Sequence, residues 1–412
     1  MSTRIPTKGP TAHHTESAEH PKRTETSPSA ASTHALKIKS PPTAASAKAL
    51  AANQAPPKQY AHLYSTAANA SGGPIGPSVF AAPTDKSAAG ISITNAKLSA
   101  ESHNSQLISA GPKAYSYAPT VMRDSDGTYK MWFGGLAPSG SGDAIYFSQS
   151  KSPNSGWSKP TVALSAGSSK SFDSIDVCDP SVIRDKDGKY YMYFGGAPKN
   201  QPAGTAQTAI GLATSTDGKT WSVVKDSAGK DLAIVKPAVY QSATYGAGQP
   251  VAEYKNGYFN MTYTDTTRGS GDQLYMIRSK SPLFASGVQS FDPKTGTWAA
   301  QTDPTKRTAL YAGADSDMAT NGSNFVASSG SIKTGTLYLS TFAQRGKAPV
   351  TSAQVAGIPF ANDTSLIKTP SGALNIRDNN KIDVMATVND PSKMGNAPGP
   401  SRWSLRNFTI QL

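Results

Sequence analysis

The sequence predicts an all-β protein, a five-bladed β-propeller preceded by a disordered N-terminal tail, and three observations carry that expectation. Its 412 residues hold 16% charged and 8% aromatic side chains beside 36 Gly and 30 Pro, a balance suited to many short strands joined by turns. A hairpin module recurs, since Ala118 to Gly135 (APTVMRDSDGTYKMWFGG) matches Asp179 to Gly196 (DPSVIRDKDGKYYMYFGG) position by position. Successive copies begin 42 to 72 residues apart, the size of a four-stranded propeller blade with its connections.

Residues 1–75 come first, built from Ala, Ser, Thr, Pro and Lys with no Asp, Trp or Phe. They cannot bury enough apolar surface to offset the entropy of ordering, so they read as a tail and the propeller as 76–412. Eight Lys/Arg against three Glu give this tail +5 of the net +13. It lacks the continuous apolar stretch of a Sec signal. Its polar, acid-poor composition is similar to the unstructured export signals of bacterial type III effectors, with a plain linker as the other reading.

Each clear hairpin is a short β-run, a turn and an aromatic-rich second run. Glycine supplies the positive φ that the turn needs in Asp126-Gly127 and Asp187-Gly188, and a third copy, Gln249 to Tyr263, uses Asn256-Gly257. Two fainter copies run from Asn321 to Ser340 and from Asp363 to Gly372. The first residue and the turn Gly are nine positions apart in four copies and eight in the third. Third strands follow the first three hairpins at Ala144–Ser148, Ala209–Ala213 and Gln273–Ile277. Ser215-Thr216-Asp217-Gly218-Lys219-Thr220-Trp221 is close to an Asp-box turn, with a structural role. β-like stretches such as Gly90–Ile93 and Asn407–Leu412 are expected to close the ring by completing one blade from both ends. A sixth blade over 76–117 is the alternative count.

Several classes are excluded. No apolar run approaches the roughly 20 residues of a membrane helix. Cys178 stands alone, so neither an intrachain disulfide nor a Cys-based metal site is encoded. Outside the tail no Lys/Arg run exceeds two residues, so nucleic acid is not expected as a partner despite the basic balance.

The stretch Asp179-Pro180-Ser181-Val182-Ile183, followed by Asp187-Gly188-Lys189-Tyr190-Tyr191-Met192-Tyr193-Phe194, resembles the inner-strand hairpin of five-bladed glycoside hydrolases, namely the family 43 arabinanases and xylosidases and the related families 32 and 68. The resemblance spans about residues 115–290. It implies a carbohydrate partner and hydrolysis of O-glycosyl bonds in arabinose-, xylose- or similar oligo- or polysaccharides. In those families an Asp base or nucleophile, a second Asp and a Glu acid surround the sugar at the channel mouth. Glycoside hydrolysis requires two carboxyl groups flanking the bond, one protonated and one ionised.

Asp179 matches the Asp-Pro motif. The first copy departs from it with Ala118, and the third carries Gln249 where the resemblance would place the acid. Partner acids are therefore sought among Asp176, Glu253, Asp317 and Asp363. Glu253 and Glu101 are the two Glu outside the tail, and strand alternation places Glu253 on the face of Gln249 and Val251. Tyr115, Tyr117 and Tyr245 precede inner strands and, with Gln249, are the candidate substrate contacts. Trp132 and Tyr193, equivalent within the repeat, are expected to pack between blades. The family's channel calcium is held partly through a His, and this chain has no His within the repeats. No cofactor or resident metal is therefore expected, the exception to consider being an all-oxygen calcium site through Asp173, Asp176 or Asp317.

Two alternatives remain at this level. A non-catalytic sugar-binding propeller would explain Ala118 and Gln249. A secreted effector using the propeller for protein interaction would show an exposed apolar rim patch.

Overall fold

The computed structural model describes residues 91–108, 115–198, 207–239, 244–268, 272–312, 316–322, 324–331, 336–343, 349–358, 361–389 and 403–412. The expected tail, and Gly76 to Val79 as a rival first motif, lie outside them. Five antiparallel sheets form a closed ring. Their inner strands are Ser116–Arg123, Asp176–Arg184, Ala247–Lys255, Asp317–Asn321 and Ala361–Leu366, which define blades 1 to 5. Each inner strand touches its neighbours on both sides, and the fifth touches the first.

Both ends of the described residues meet in blade 5. Trp403–Gln411 pairs with Lys381–Asn389 on one side, and on the other with Lys97–Leu98 and His103–Ile108. The N-terminal strands therefore complete blade 5 from outside, and no sixth blade forms from them. Ile91–Ile93 is not a strand, but Ile93 is wholly buried between blades 4 and 5.

Alternation along the strands gives every sheet two apolar faces. The core accordingly divides into five apolar clusters, one at each blade interface. Trp132 and Tyr193 are 0% exposed and sit in adjacent interfaces, as their repeat-equivalence predicts. The indole N–H of Trp132 donates to the Gly218 carbonyl at 2.9 Å, which ties the Asp-box turn to the first blade interface. Burying such a ring stabilises the fold by roughly 1.5–3 kcal/mol, so truncating either aromatic would open a seam between two blades.

The turns of the first three hairpins fall where expected, with Gly127, Gly188 and Gly257 at φ 80°, 86° and 75°. The fourth is a correction. Asn321 ends its inner strand rather than beginning it, the turn lies at Gly322 (φ 58°), and Gly330 belongs to the second strand, Asn324–Ser331. This inner strand has only five residues, so the nine-residue interval landed one strand too late, on a Ser-Gly-Ser run that mimics a turn.

The fifth hairpin has an unusual excursion between its strands. Residues 367–374 cross the far end of the channel, where Arg123, Arg184 and Tyr254 donate backbone N–H bonds to the carbonyls of Lys368, Pro370 and Ser371 at 2.8, 2.7 and 2.7 Å. Leu374 N–H donates to the Thr320 carbonyl at 2.8 Å. One segment thus satisfies backbone groups of the other four inner strands and closes the channel into a pocket.

Candidate active site

The pocket mouth is built by one backbone device used three times. Ala118, Asp179 and Gln249 adopt φ of 44°, 48° and 51°, each followed by a proline that has no N–H to give the ladder. Pairing skips these dipeptides, passing from Tyr117 to Thr120, from Cys178 to Ser181 and from Gly248 to Val251. Each is a β-bulge that re-aims the strand start toward the axis. A left-handed conformation is tolerated by Asp and strained for Ala and Gln, so its retention at all three positions marks a site that holds geometry against local preference.

A depression of about 410 Å³ results, lined from all five blades, with Asp179, Asp317, Asp363 and Gln249 among its walls. Its apolar surface comes from Pro119, Pro180, Pro250 and Val251, and no lining residue is aromatic.

Asp179 is half-buried, reached by water through the mouth and hemmed in elsewhere. Burial, then the charge of Asp363, pushes its carboxyl up to about 7, opposed by hydrogen bonds from the Tyr245 hydroxyl and the Cys178 thiol. Asp317 lies at the floor, where its Oδ2 accepts the Leu366 N–H at 2.7 Å and its Oδ1 pairs with the Lys368 ammonium. Lys368 belongs to the segment closing the channel. Burial raises the Asp317 carboxyl against that ion pair.

Asp176 is absent from the pocket lining. Its Oδ1 accepts the Asp143 N–H at 2.9 Å, and burial followed by the Asp143 charge pushes it up to about 8. Asp143 in turn accepts hydrogen bonds from both predicted aromatic contacts, Tyr117 at 2.6 Å and Tyr115. Tyr115 and Tyr117 are buried with their rings against Trp403, at centroid distances of 6.3 and 5.4 Å, and are likewise absent from the lining. Tyr245 acts through Asp179, donating to Oδ2 at 3.1 Å. Glu253 also lies off the lining, buried and accepting a hydrogen bond from Thr320, with burial raising its carboxyl. The bulge at Gln249-Pro250 interrupts the alternation that grouped Gln249 with Glu253.

Sequence reasoning missed Asp143, Lys368 and Trp403. Asp143 opens a third strand, Lys368 lies past the fifth motif, and Trp403 arrives from the closing strand, so no local pattern marks them.

The lining does not suit a channel calcium. Asp317 is already held by Lys368, and among the described residues no group of three or more His, Cys, Asp or Glu is placed to hold a metal ion.

No family model matches the chain, and no curated protein matches it in sequence. Solved structures do match its fold. Zg3597, a family 117 glycoside hydrolase of the marine bacterium Zobellia galactanivorans, aligns over 77% of this chain and 90% of its own with TM-score 0.53 and 12% identity. BT0996, in a complex with RGII, covers 77% and 93% with TM-score 0.52 and 13% identity. A structure described as a glycoside hydrolase covers 76% and 92% with TM-score 0.50 and 12% identity. The chain therefore has the five-bladed propeller fold seen in glycoside hydrolases, and at these identities the likeness shows fold alone.

Proposed function

We propose that the chain is a glycoside hydrolase in which Asp179 is the acid and Asp363 the ionised partner. The carrying observation is that both line one pocket while burial and the Asp363 charge hold the Asp179 carboxyl near 7. A carboxyl in that range keeps its proton at mildly acidic to neutral pH and can give it to a departing glycosidic oxygen. Asp363 keeps its charge and supports the positive character that develops at the anomeric carbon before water completes hydrolysis. Asp317, neutralised by Lys368, shapes the floor.

Three carboxylates at the wall favour neutral sugars over uronic or sulfated ones, in line with arabinose- or xylose-type substrates. The proline rings and Val251 offer the apolar surface against which a sugar face can rest. A second reading, sugar binding without hydrolysis, draws on Ala118 and Gln249, which occupy the same bulge position as Asp179 without a group that titrates. Screening aryl glycosides and polysaccharides with the full chain separates the two, because turnover supports the first and saturable binding without turnover the second. The protein-interaction reading has less support. Among the described residues the large exposed apolar side chains are Val162, Val239 and Ile376, which lie far apart in sequence on blades 1, 2 and 5.

A further inference from the structure

A second carboxylate pair lies outside the pocket, in the loop entering blade 2. Asp173 is 0% exposed, and neither of its carboxylate oxygens has a hydrogen-bond partner. An unpartnered buried carboxylate is among the costliest arrangements in a folded protein. Opposite it stands Asp231, from the outer edge of the same blade, whose Oδ1 is held by Lys225 at 2.5 Å and whose Oδ2 accepts from the Ser171 hydroxyl at 3.3 Å.

Gly167 shows that these two carboxylates face one space. A Cβ on that residue would lie 2.4 Å from Asp173 Oδ1 and 2.4 Å from Asp231 Oδ2, so the two oxygens are no more than twice that distance apart. Oxygens so spaced can both reach one ion with calcium–oxygen bonds of about 2.3–2.6 Å. Gly167 is not in a left-handed conformation. Its lack of a side chain keeps the cradle open rather than making a turn feasible.

We propose that Asp173 and Asp231, with the Ser171 hydroxyl, form a binding site for a hard divalent cation of the calcium class. Two carboxylates, one hydroxyl and water meet the all-oxygen preference of such an ion. Lys225 neutralises the far side of Asp231 and leaves Oδ2 directed inward. Without the ion, burial and the Asp231 charge push the Asp173 carboxyl up to about 6, which is the response of a carboxylate lacking its counter-charge. Occupation would fix the loop that leads directly into Asp176 and Asp179. The site lies apart from the pocket and does not depend on the proposed hydrolysis.

The test is calcium chloride titration of the full chain, stripped with EDTA, by calorimetry and thermal unfolding at pH 7.5. Wild type is expected to bind one calcium saturably and to melt higher when loaded. Asp173→Asn and Asp231→Asn should each weaken binding at least tenfold. In calcium-free buffer Asp173→Asn should melt no lower than wild type, because it removes an uncompensated charge, and this shows that lost binding is not lost folding. Absence of calcium heat in folded wild type would overturn the proposal, as would binding that survives undiminished in Asp173→Asn.

Discussion

The Tyr245 hydroxyl donates to Asp179 Oδ2 at 3.1 Å, and it arrives there because Gly248 leaves room. A Cβ on Gly248 would stand 2.1 Å from that hydroxyl oxygen. Blade 3 thus positions the proposed acid of blade 2. The hydrogen bond favours the charged carboxylate and holds Asp179 below the value burial alone would set.

Removing that bond has a definite sign. If protonated Asp179 is the acid, kcat/KM falls as pH rises through about 7. Tyr245→Phe should raise the carboxyl further and carry the alkaline limb to higher pH. Gly248→Ala, by displacing the ring, should move it the same way. An unmoved limb in both pH–rate profiles would remove Tyr245 from its positioning role.

Stability should also depend on pH through the two raised carboxyls. Asp176 and Asp179 hold their protons up to about 8 and about 7 in the folded chain, whereas an unfolded Asp releases its proton near 3.9. The folded state therefore binds more protons between these values. This contribution is complete below the unfolded value and is lost as pH rises through 7 to 8. Urea unfolding should give a lower midpoint at pH 8.5 than at pH 5, and Asp176→Asn should shrink that difference.

The floor should be sensitive to charge. Lys368→Met leaves Asp317 buried without its counter-ion and is expected to cost about 3–5 kcal/mol in chemical denaturation. Adding Asp317→Asn should restore much of the loss, since both charges are then gone. Failure of the double variant to recover would mean that the Lys368 stem, rather than its charge, supports the channel floor.

The segment closing the channel should tolerate no side chain at Gly372. Its φ is 97°, and a Cβ would lie 2.8 Å from the Ala252 carbonyl oxygen and 2.9 Å from Glu253 Cα. Both obstacles are backbone. Gly372→Ala should cost roughly 1–3 kcal/mol, read as a lowered urea midpoint, whereas a comparable change at Gly127, whose Cβ would meet nothing within 4 Å, should cost less.

What was legible in the sequence follows from what is local. Asp179 and Asp363 could be found because each begins a hairpin whose spacing repeats, and the blade count followed from the same interval. Asp143, Lys368 and Asp231 could not, because their roles arise only when distant strands and loops meet. Glu253 drew attention through the scarcity of Glu, yet residues 249–250 bulge and its carboxylate ends at Thr320. The crossing of residues 367–374 left no trace, since a strap bonded through backbone groups needs no periodic side-chain pattern.

The most direct measurement compares purified wild type, Asp179→Asn and Asp363→Asn for hydrolysis and binding across a panel of aryl glycosides and neutral plant and bacterial polysaccharides. Hydrolysis of at least one substrate by wild type, reduced 100-fold or more in each variant while binding persists, is the expected result. Turnover that is unchanged in both variants, or saturable binding by all three proteins with no turnover on any substrate, would contradict a catalytic Asp179–Asp363 pair.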